Sequence, residues 1–349
     1  MNEGNTLMRE QARFLAQEPD RLAAVRGRDL HETLGGLGLT HGQYFRALGV
    51  SVEDYCAREF GVDLRRVTVE RFFQSDPDAK WLFPDIVRGA VTEGMRGKPR
   101  HPGLIIRDEA VGGPVCDVPY IRESAGQEEM RTVAEGAAIP ESSLTYGDRT
   151  VRLDKKGRGV IASYEVIRRM SMDMLRVHLR RIGERLGRNL DARLAHVLAF
   201  GDSSGSGTAP ETLNSKTAGA WGFDDLVTGF LTLSLGNDFT PTHMLVNGLT
   251  LARLLALDEF RDASLFDFTR TGGLPSPLGM TLVPMPDQPD GLITFLDARY
   301  AVQKLTEQDL TVESDKLIRQ QWDRTYLTVV TDFAVIYDKA RVVVNCNWS

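Results

Sequence analysis

The chain has 349 residues, 42% of them hydrophobic and 26% charged, which is enough apolar material for one large or two smaller cores and argues against general disorder. Its net charge of −6 excludes the overall basic balance of a dedicated nucleic-acid binder, although Asp148–Arg193 holds 13 Lys and Arg against 6 Asp and Glu. Three scattered cysteines (Cys56, Cys116, Cys346) without a CxxC argue against a disulfide framework or zinc site. MNEGNTLMRE lacks a signal-peptide core and no run of about 18 apolar residues occurs, so a soluble, cytoplasmically made protein without membrane contact is expected.

Residues 5 to about 60 read as helical: Leu7, Phe14 and Leu15 recur among polar residues, and Ser51 is placed to cap a short helix. This stretch is either a small helical arm packed on the body or a scaffold-like, partner-binding extension. Asp76-Pro77-Asp78 marks a boundary. Trp81-Leu-Phe-Pro84 then introduces a helix predicted over Asp85–Met95, with Pro84 in its first turn, where a missing N–H is harmless. Val115–Ile121 is extended, with Pro119 pointing to an edge. After polar residues 122–147, Arg149–Ser163 alternates again, Val151 and Leu153 on one face and Arg152 and Asp154 on the other. Together these stretches form a long hairpin arm. With so little apolar surface it must lie on something, its own domain or a neighbouring subunit.

Ser171–Phe200 is the clearest helix. Leu175, Leu179, Ile182, Leu186, Leu190, Leu194 and Val197 form one stripe along roughly 45 Å. Arg176, Arg180, Arg181, Arg185, Arg188 and Arg193 occupy the other positions. They form either a solvated face paired locally to Glu184 or Asp191, or a contact for a polyanion or acidic neighbour. A flexible Gly201–Pro210 loop follows. Beyond it are a helix over Phe223–Leu235, a strand over His243–Val246, and a helix capped by Asn247 and running to Leu257. The remaining strands are Met280–Val283, Leu292–Leu296, Tyr326–Val330, Phe333–Tyr337 and Arg341–Cys346.

Motifs with a chemical look do not hold up. Gly201-Asp-Ser203-Ser-Gly205 fits G-x-S-x-G, but it follows a helix where a catalytic serine needs a strand-to-helix turn. No lysine follows its glycines, so it is not a phosphate loop. His31, His41, His101, His178, His196 and His243 form neither HxH nor HExxH, and His178 and His196 stand five helical turns apart. Asp224-Asp225 diverge on a helix and suit its N-terminus. No acid, base and nucleophile converge, so the chain is not expected to be an enzyme or to bind a cofactor or metal.

Taken in order, these segments resemble the major capsid proteins of tailed bacteriophages, with the Hong-Kong-97-like fold, over roughly residues 81–349. Trp81-Leu-Phe-Pro-Asp-Ile looks like the entry to the family's N-terminal arm. Val133-Ala-Glu-Gly-Ala-Ala-Ile-Pro-Glu-Ser resembles its extended loop and Ala162-Ser-Tyr-Glu-Val-Ile-Arg the turn out of it. Ser171–Phe200 is similar to the spine helix, and His243–Leu257 and Leu278-Gly-Met-Thr-Leu-Val283 with Met285-Pro286 to the axial domain. Thr281 stands where a proline is usual, and Thr331-Asp332-Phe333 where many members carry an acidic–x–arginine step.

The resemblance implies an α+β capsid fold in six parts: a helical extension (1–75), an N-arm (76–114), the extended hairpin loop (115–165), a peripheral domain with the spine helix (166–215), an axial domain (216–325) and peripheral strands (326–349). It implies a subunit that assembles into pentamers and hexamers of an icosahedral head around double-stranded DNA. An encapsulin-type compartment and a gene-transfer-agent capsid are the alternatives. Arg131, Glu135, Pro140, Glu141, Arg152, Lys155, Lys156 and Arg158 would lie at subunit interfaces, with Gly157 and Gly159 as hinges of the arm. Expected partners are further copies of the chain, portal, scaffold and decoration proteins, and loosely held DNA; expected locations are the virion and, during assembly, the host cytoplasm. Some relatives weld subunits through Lys–Asn bonds. Gly136, Ile139 and Gln321 stand at those places here, implying a shell without covalent links. Residues 1–75, which match no part of the family and are short for a cleaved scaffolding segment, are expected to stay as an uncleaved arm.

Overall fold

The structure is a computed structural model that describes residues 27–36, 41, 44–45, 51–75, 79–97, 99–118, 132–133, 135, 149–205, 208–261, 277–317 and 322–346. The chain divides into two compact units. The first comprises residues 1–98, 155–187 and 308–329, the second 99–154, 188–307 and 330–349. The architecture is mixed α+β.

Among the described residues four helices open the first unit: α1 (Gly27–Gly36), α2 (Val52–Glu59), α3 (Val69–Ser75) and α4 (Ala79–Arg96). Ser51 caps α2 as its sequence implies, its hydroxyl accepting the Asp54 N–H at 3.0 Å. Leu34, Phe45, Cys56, Leu64, Val69, Phe72 and Leu82 gather into one core cluster. Helix α4 begins at Ala79, six residues before the predicted start, and Pro84 lies inside it. Burial of Leu82 and Ile86 in that cluster carries the helix across a residue that cannot donate a backbone bond.

The long helix α6 (Met172–Phe200) starts within one residue of expectation. In the first unit its Leu179 and Ile182 pack with Val87, Ala90 and Val91 of α4 and with Leu310, Val312 and Leu327. These last belong to the strands β9 (Val302–Leu317) and β10 (Trp322–Val335), which lie side by side with β4 (Asp154–Ser163) at the edge, β10 in the middle. Between β4 and α6 sits the short helix α5 (Tyr164–Arg169).

In the second unit β1 (Asp108–Ala110) pairs parallel to β9, Asp108 opposite Lys304. A five-stranded mixed sheet has the order β5 (Glu211–Asn214), β11 (Arg341–Asn345), β8 (Leu292–Leu296), β6 (His243–Val246) and β7 (Thr281–Pro284). The strand Arg341–Asn345 thus pairs antiparallel with Leu292–Leu296, away from the strand preceding it. β8 is buried at every position, as a central strand is, and its one polar side chain, Thr294, accepts from the buried Gln288 amide at 2.8 Å. Helices α7 (Phe223–Leu231) and α8 (Gly248–Leu254) cover the sheet through Leu226, Leu254, Phe295 and Val342. Asn247 caps α8 as predicted, accepting the Thr250 N–H at 2.7 Å. Thr281, the residue in the proline's place, donates its N–H to the Thr242 carbonyl at 2.9 Å, a bond a proline could not supply.

Candidate assembly surface

The root of the hairpin arm lies in the second unit. β2 (Val115–Asp117) pairs antiparallel with β3 (Thr150–Arg152), Cys116 opposite Val151. The Val118 N–H donates to the Arg149 carbonyl at 2.9 Å and the Leu153 N–H to that of Pro114 at 2.8 Å. Val118, Val151 and Leu153 are buried with Leu305, Val330 and Ala334. The alternation seen in the sequence therefore has its apolar side on the chain's own core, and the described strands on either side of residues 119–148 are joined at Val118 and Arg149.

Arg149 holds that point. Its buried guanidinium donates to Asp202, to the Ser204 hydroxyl at 3.0 Å and to the Val335 carbonyl at 3.2 Å. Asp202 also accepts the Val335 N–H at 2.9 Å and both the N–H (3.0 Å) and hydroxyl (2.5 Å) of Ser204. Burial pushes the Asp202 carboxyl upward, but the hydrogen bonds from Ser204 and Val335 and the charge of Arg149 outweigh it and hold it below the ordinary carboxylate range. Sequence reading missed this clasp. Its signal was an acid just past the C-terminus of a long helix, where the dipole disfavours negative charge unless a cation is near.

Among the sequence-predicted interface residues, Arg152 is exposed on β3, its N–H and carbonyl both engaged by the Ser203 hydroxyl at 3.3 Å. Ser203 thus fastens a loop to a strand. Lys155, Lys156 and Arg158 share the edge strand β4, with Lys156 and Arg158 on one face and Lys155 on the other. Glu135 is exposed. Arg131, Pro140 and Glu141 lie outside the described residues, as do Gly136, Ile139 and Gln321. Gly157 and Gly159 are not set as hinges. A Cβ on Gly157 would stand 3.2 Å from the Leu327 carbonyl and one on Gly159 3.1 Å from the Tyr326 ring, so they let β4 lie close on β10.

Four of the six arginines of α6 are engaged within the chain, while Arg185 and Arg188 lie exposed. Arg176 pairs with Glu53, Arg180 with Glu93 at 3.0 Å and Arg181 with the expected Glu184 at 2.5 Å. Arg193 grips the fully buried Asp332 with two bonds, Nε to Oδ1 at 2.8 Å and Nη2 to Oδ2 at 2.9 Å, and the hydrogen-bonded carboxylate raises the arginine's pKa further. Asp332, in the variant Thr331-Asp332-Phe333 step, takes its cation from the helix. Asp191, expected to pair with an arginine, instead accepts the His101 N–H at 2.9 Å and faces its ring Nδ1 at 2.7 Å. Asp224 and Asp225 sit at the N-terminus of α7, where Asp225 accepts the N–H groups of Lys216 and Gly222, each at 2.8 Å. Among the described residues no group of three or more His, Cys, Asp or Glu side chains is placed to hold a metal, and no helix is long and apolar enough to cross a membrane.

A family model described as phage capsid protein matches residues 147–345. The fold is similar to a virus-like particle protein from Pyrococcus furiosus, with TM-score 0.52 and 11% identity, covering 75% of this chain and 99% of that one. It is similar to a protein of Mycobacterium phage Che8 at TM-score 0.52 and 14% identity, covering 72% and 93%. The capsid of an empty GTA particle matches at TM-score 0.52 and 19% identity, covering 72% and 92%. No curated protein sequence matches the chain.

Proposed function

The chain belongs to the phage capsid protein family, and from that premise we propose that it builds an icosahedral head of pentamers and hexamers filled with double-stranded DNA. The observation that carries the reading is the family match over residues 147–345, a span that holds the returning strand of the arm, the long helix and the five-stranded sheet. As a capsid subunit its task is association, where many weak contacts add through multivalency.

In this reading, residues 119–148 reach from the clasped root to a neighbouring copy. Arg131, Glu135, Pro140 and Glu141 make contacts there, and Arg152, Lys155 and Arg158 present positive charge near the root, while the Lys156 ammonium is buried within its own chain. Exposed pairs of this kind contribute roughly 0–1 kcal/mol each, so they set register more than strength. The long helix and the strands beside it act as the peripheral domain, and residues 216–325 gather around the capsomer axis. Packaged DNA touches an acidic subunit loosely and without sequence preference. Portal, scaffold and decoration proteins complete the particle, which assembles in the host cytoplasm, and the subunit performs no catalysis.

Electron microscopy of the full-length protein, alone and with its neighbouring gene products, tests this. Closed shells are expected, and deleting residues 125–147 leaves a folded subunit that fails to close them. Normal particles from that deletion would remove the arm from assembly. An absorbance ratio typical of protein alone in particles from infected cells would favour the protein-enclosing compartment.

A further inference from the structure

Two edges of one sheet in the first unit are open and carry opposite charge. Within that unit β10 lies between β9 and β4. Strand β1 pairs with β9 at residues 304–306. Among the described residues no strand lies outside β9 beyond that point, and none lies outside β4. Each edge therefore presents backbone N–H and C=O groups that can take up a further strand.

Leu310 and Val312 of β9 and Val160 of β4 pack in the cluster that holds α4 and α6. Alternation along each strand turns Glu313 and Asp315 of β9, and Lys155 of β4, to the opposite face. All three are exposed, as is Arg158 on the same strand as Lys155. Among the described residues none of these four side chains has an ion-pair or hydrogen-bond partner. Asp309 differs, because its carboxylate accepts the Leu310 N–H at 2.7 Å. An acidic edge and a basic edge, both with unpaired charge, thus stand on opposite sides of the same three strands. The two complement each other, yet β10 keeps them apart within one chain. Two strand spacings are roughly 9–10 Å, too far for a cross-strand pair. The complement is therefore met by a second copy. A chain with the two halves of a contact on different sides associates head to tail, and closes into a ring where the rotation allows it.

We propose that the β9 edge of one copy pairs with the β4 edge of the next, continuing the sheet from subunit to subunit, with Lys155 set against Glu313 and Asp315. This rests on the reading of the chain as a self-assembling subunit, and it names the acidic surface that meets the cations near the root of the arm. Opposite charges across the junction fix its register, and like charges there disfavour it.

The test uses the full-length protein at a concentration where it assembles. Lys155→Cys is combined with Glu313→Cys in one variant and with Asp315→Cys in another, followed by mild oxidation and peptide mapping. A bond from position 155 of one chain to position 313 or 315 of another is expected in at least one variant, with a ladder of multimers that reducing agent collapses. Absence of that bond from both variants, or bonds that join only like positions, would overturn the proposal. Lys155→Glu alone should raise the concentration for half-assembly roughly tenfold, and adding Glu313→Lys and Asp315→Lys should bring it back. An unchanged value for Lys155→Glu, or no recovery in the triple variant, would also overturn it. Electron microscopy reads the shell separately. Closed particles without the bond sink the edge pairing and leave the capsid reading standing, whereas the bond in open filaments keeps the pairing and sinks the capsid reading.

Discussion

Arg149 and Asp202, 53 positions apart, form an ion pair whose side chains are 8% and 0% exposed, and the pair sits where the arm joins the body. Removing one partner leaves a buried charge without its counter-ion, which costs about 3–5 kcal/mol. Asp202→Ala and Arg149→Met should therefore lower the urea midpoint of the isolated subunit strongly. Arg149→Lys keeps the charge but loses the fork that spans Asp202, Ser204 and Val335, and should fall between them and the wild type. A shift under 1 kcal/mol for Asp202→Ala would mean that the clasp is solvated and the root is not held by it.

Two pH windows follow from shifted groups. Asp202 is held below its ordinary value of 3.8, so its contribution is full above that value and is lost as pH falls through the lower folded one. His243 is also pushed down, from 6.5, by burial working against the nearby Asp297. The unfolded chain takes up that proton first, so stability declines as pH falls below 6.5 and levels off below the folded value. Melting temperature against pH should show both declines. His243→Gln should flatten the upper one and Asp202→Asn the lower one, and a profile unchanged by either variant would contradict the assignment.

Locally encoded features were legible in the sequence: the caps at Ser51 and Asn247, the stripe of α6, and the short buried strand Leu292–Leu296. What escaped it depends on distant partners. Thr331 and Asp332 read as a break between two strands, yet β10 runs through them. The Thr331 hydroxyl donates to the Leu305 carbonyl at 2.7 Å and Asp332 is neutralised by Arg193, so neither polar group interrupts the ladder. The root of the arm was visible as an alternation, but its clasp joins residues that no local period relates. The interface residues were named from resemblance, and Arg131, Pro140 and Glu141 fall outside the described structure.

A shell without covalent welds is a separate prediction. Gly136 and Ile139 offer no amine and Gln321 stands in the acceptor's place. Purified particles boiled in denaturant should run as one band at 38.8 kDa. A ladder of multimers resistant to reducing agent would show that another lysine does the joining.

A close backbone approach between α4 and α6 yields a sharp packing test. A Cβ on Gly183 would stand 2.0 Å from the Val91 carbonyl oxygen, and one on Gly94 2.0 Å from that of Arg180. Both obstacles are helix backbone, which cannot swing aside as a side chain can, so one methyl group must push the helices apart and open the Leu179–Val87 core. Overpacking of this kind costs typically 1–3 kcal/mol, and Gly183→Ala should sit at or above the top of that range. Gly89 lies on the same α4 with nothing within 4 Å of its Cβ position, and Gly89→Ala should stabilise by about 0.5–1 kcal/mol through helix propensity alone. The double variant Gly94→Ala with Gly183→Ala should cost less than the two singles summed. Once the first methyl has separated the helices the second finds room, so the sites must couple. Strict additivity in urea unfolding would mean that the two glycines do not share one contact.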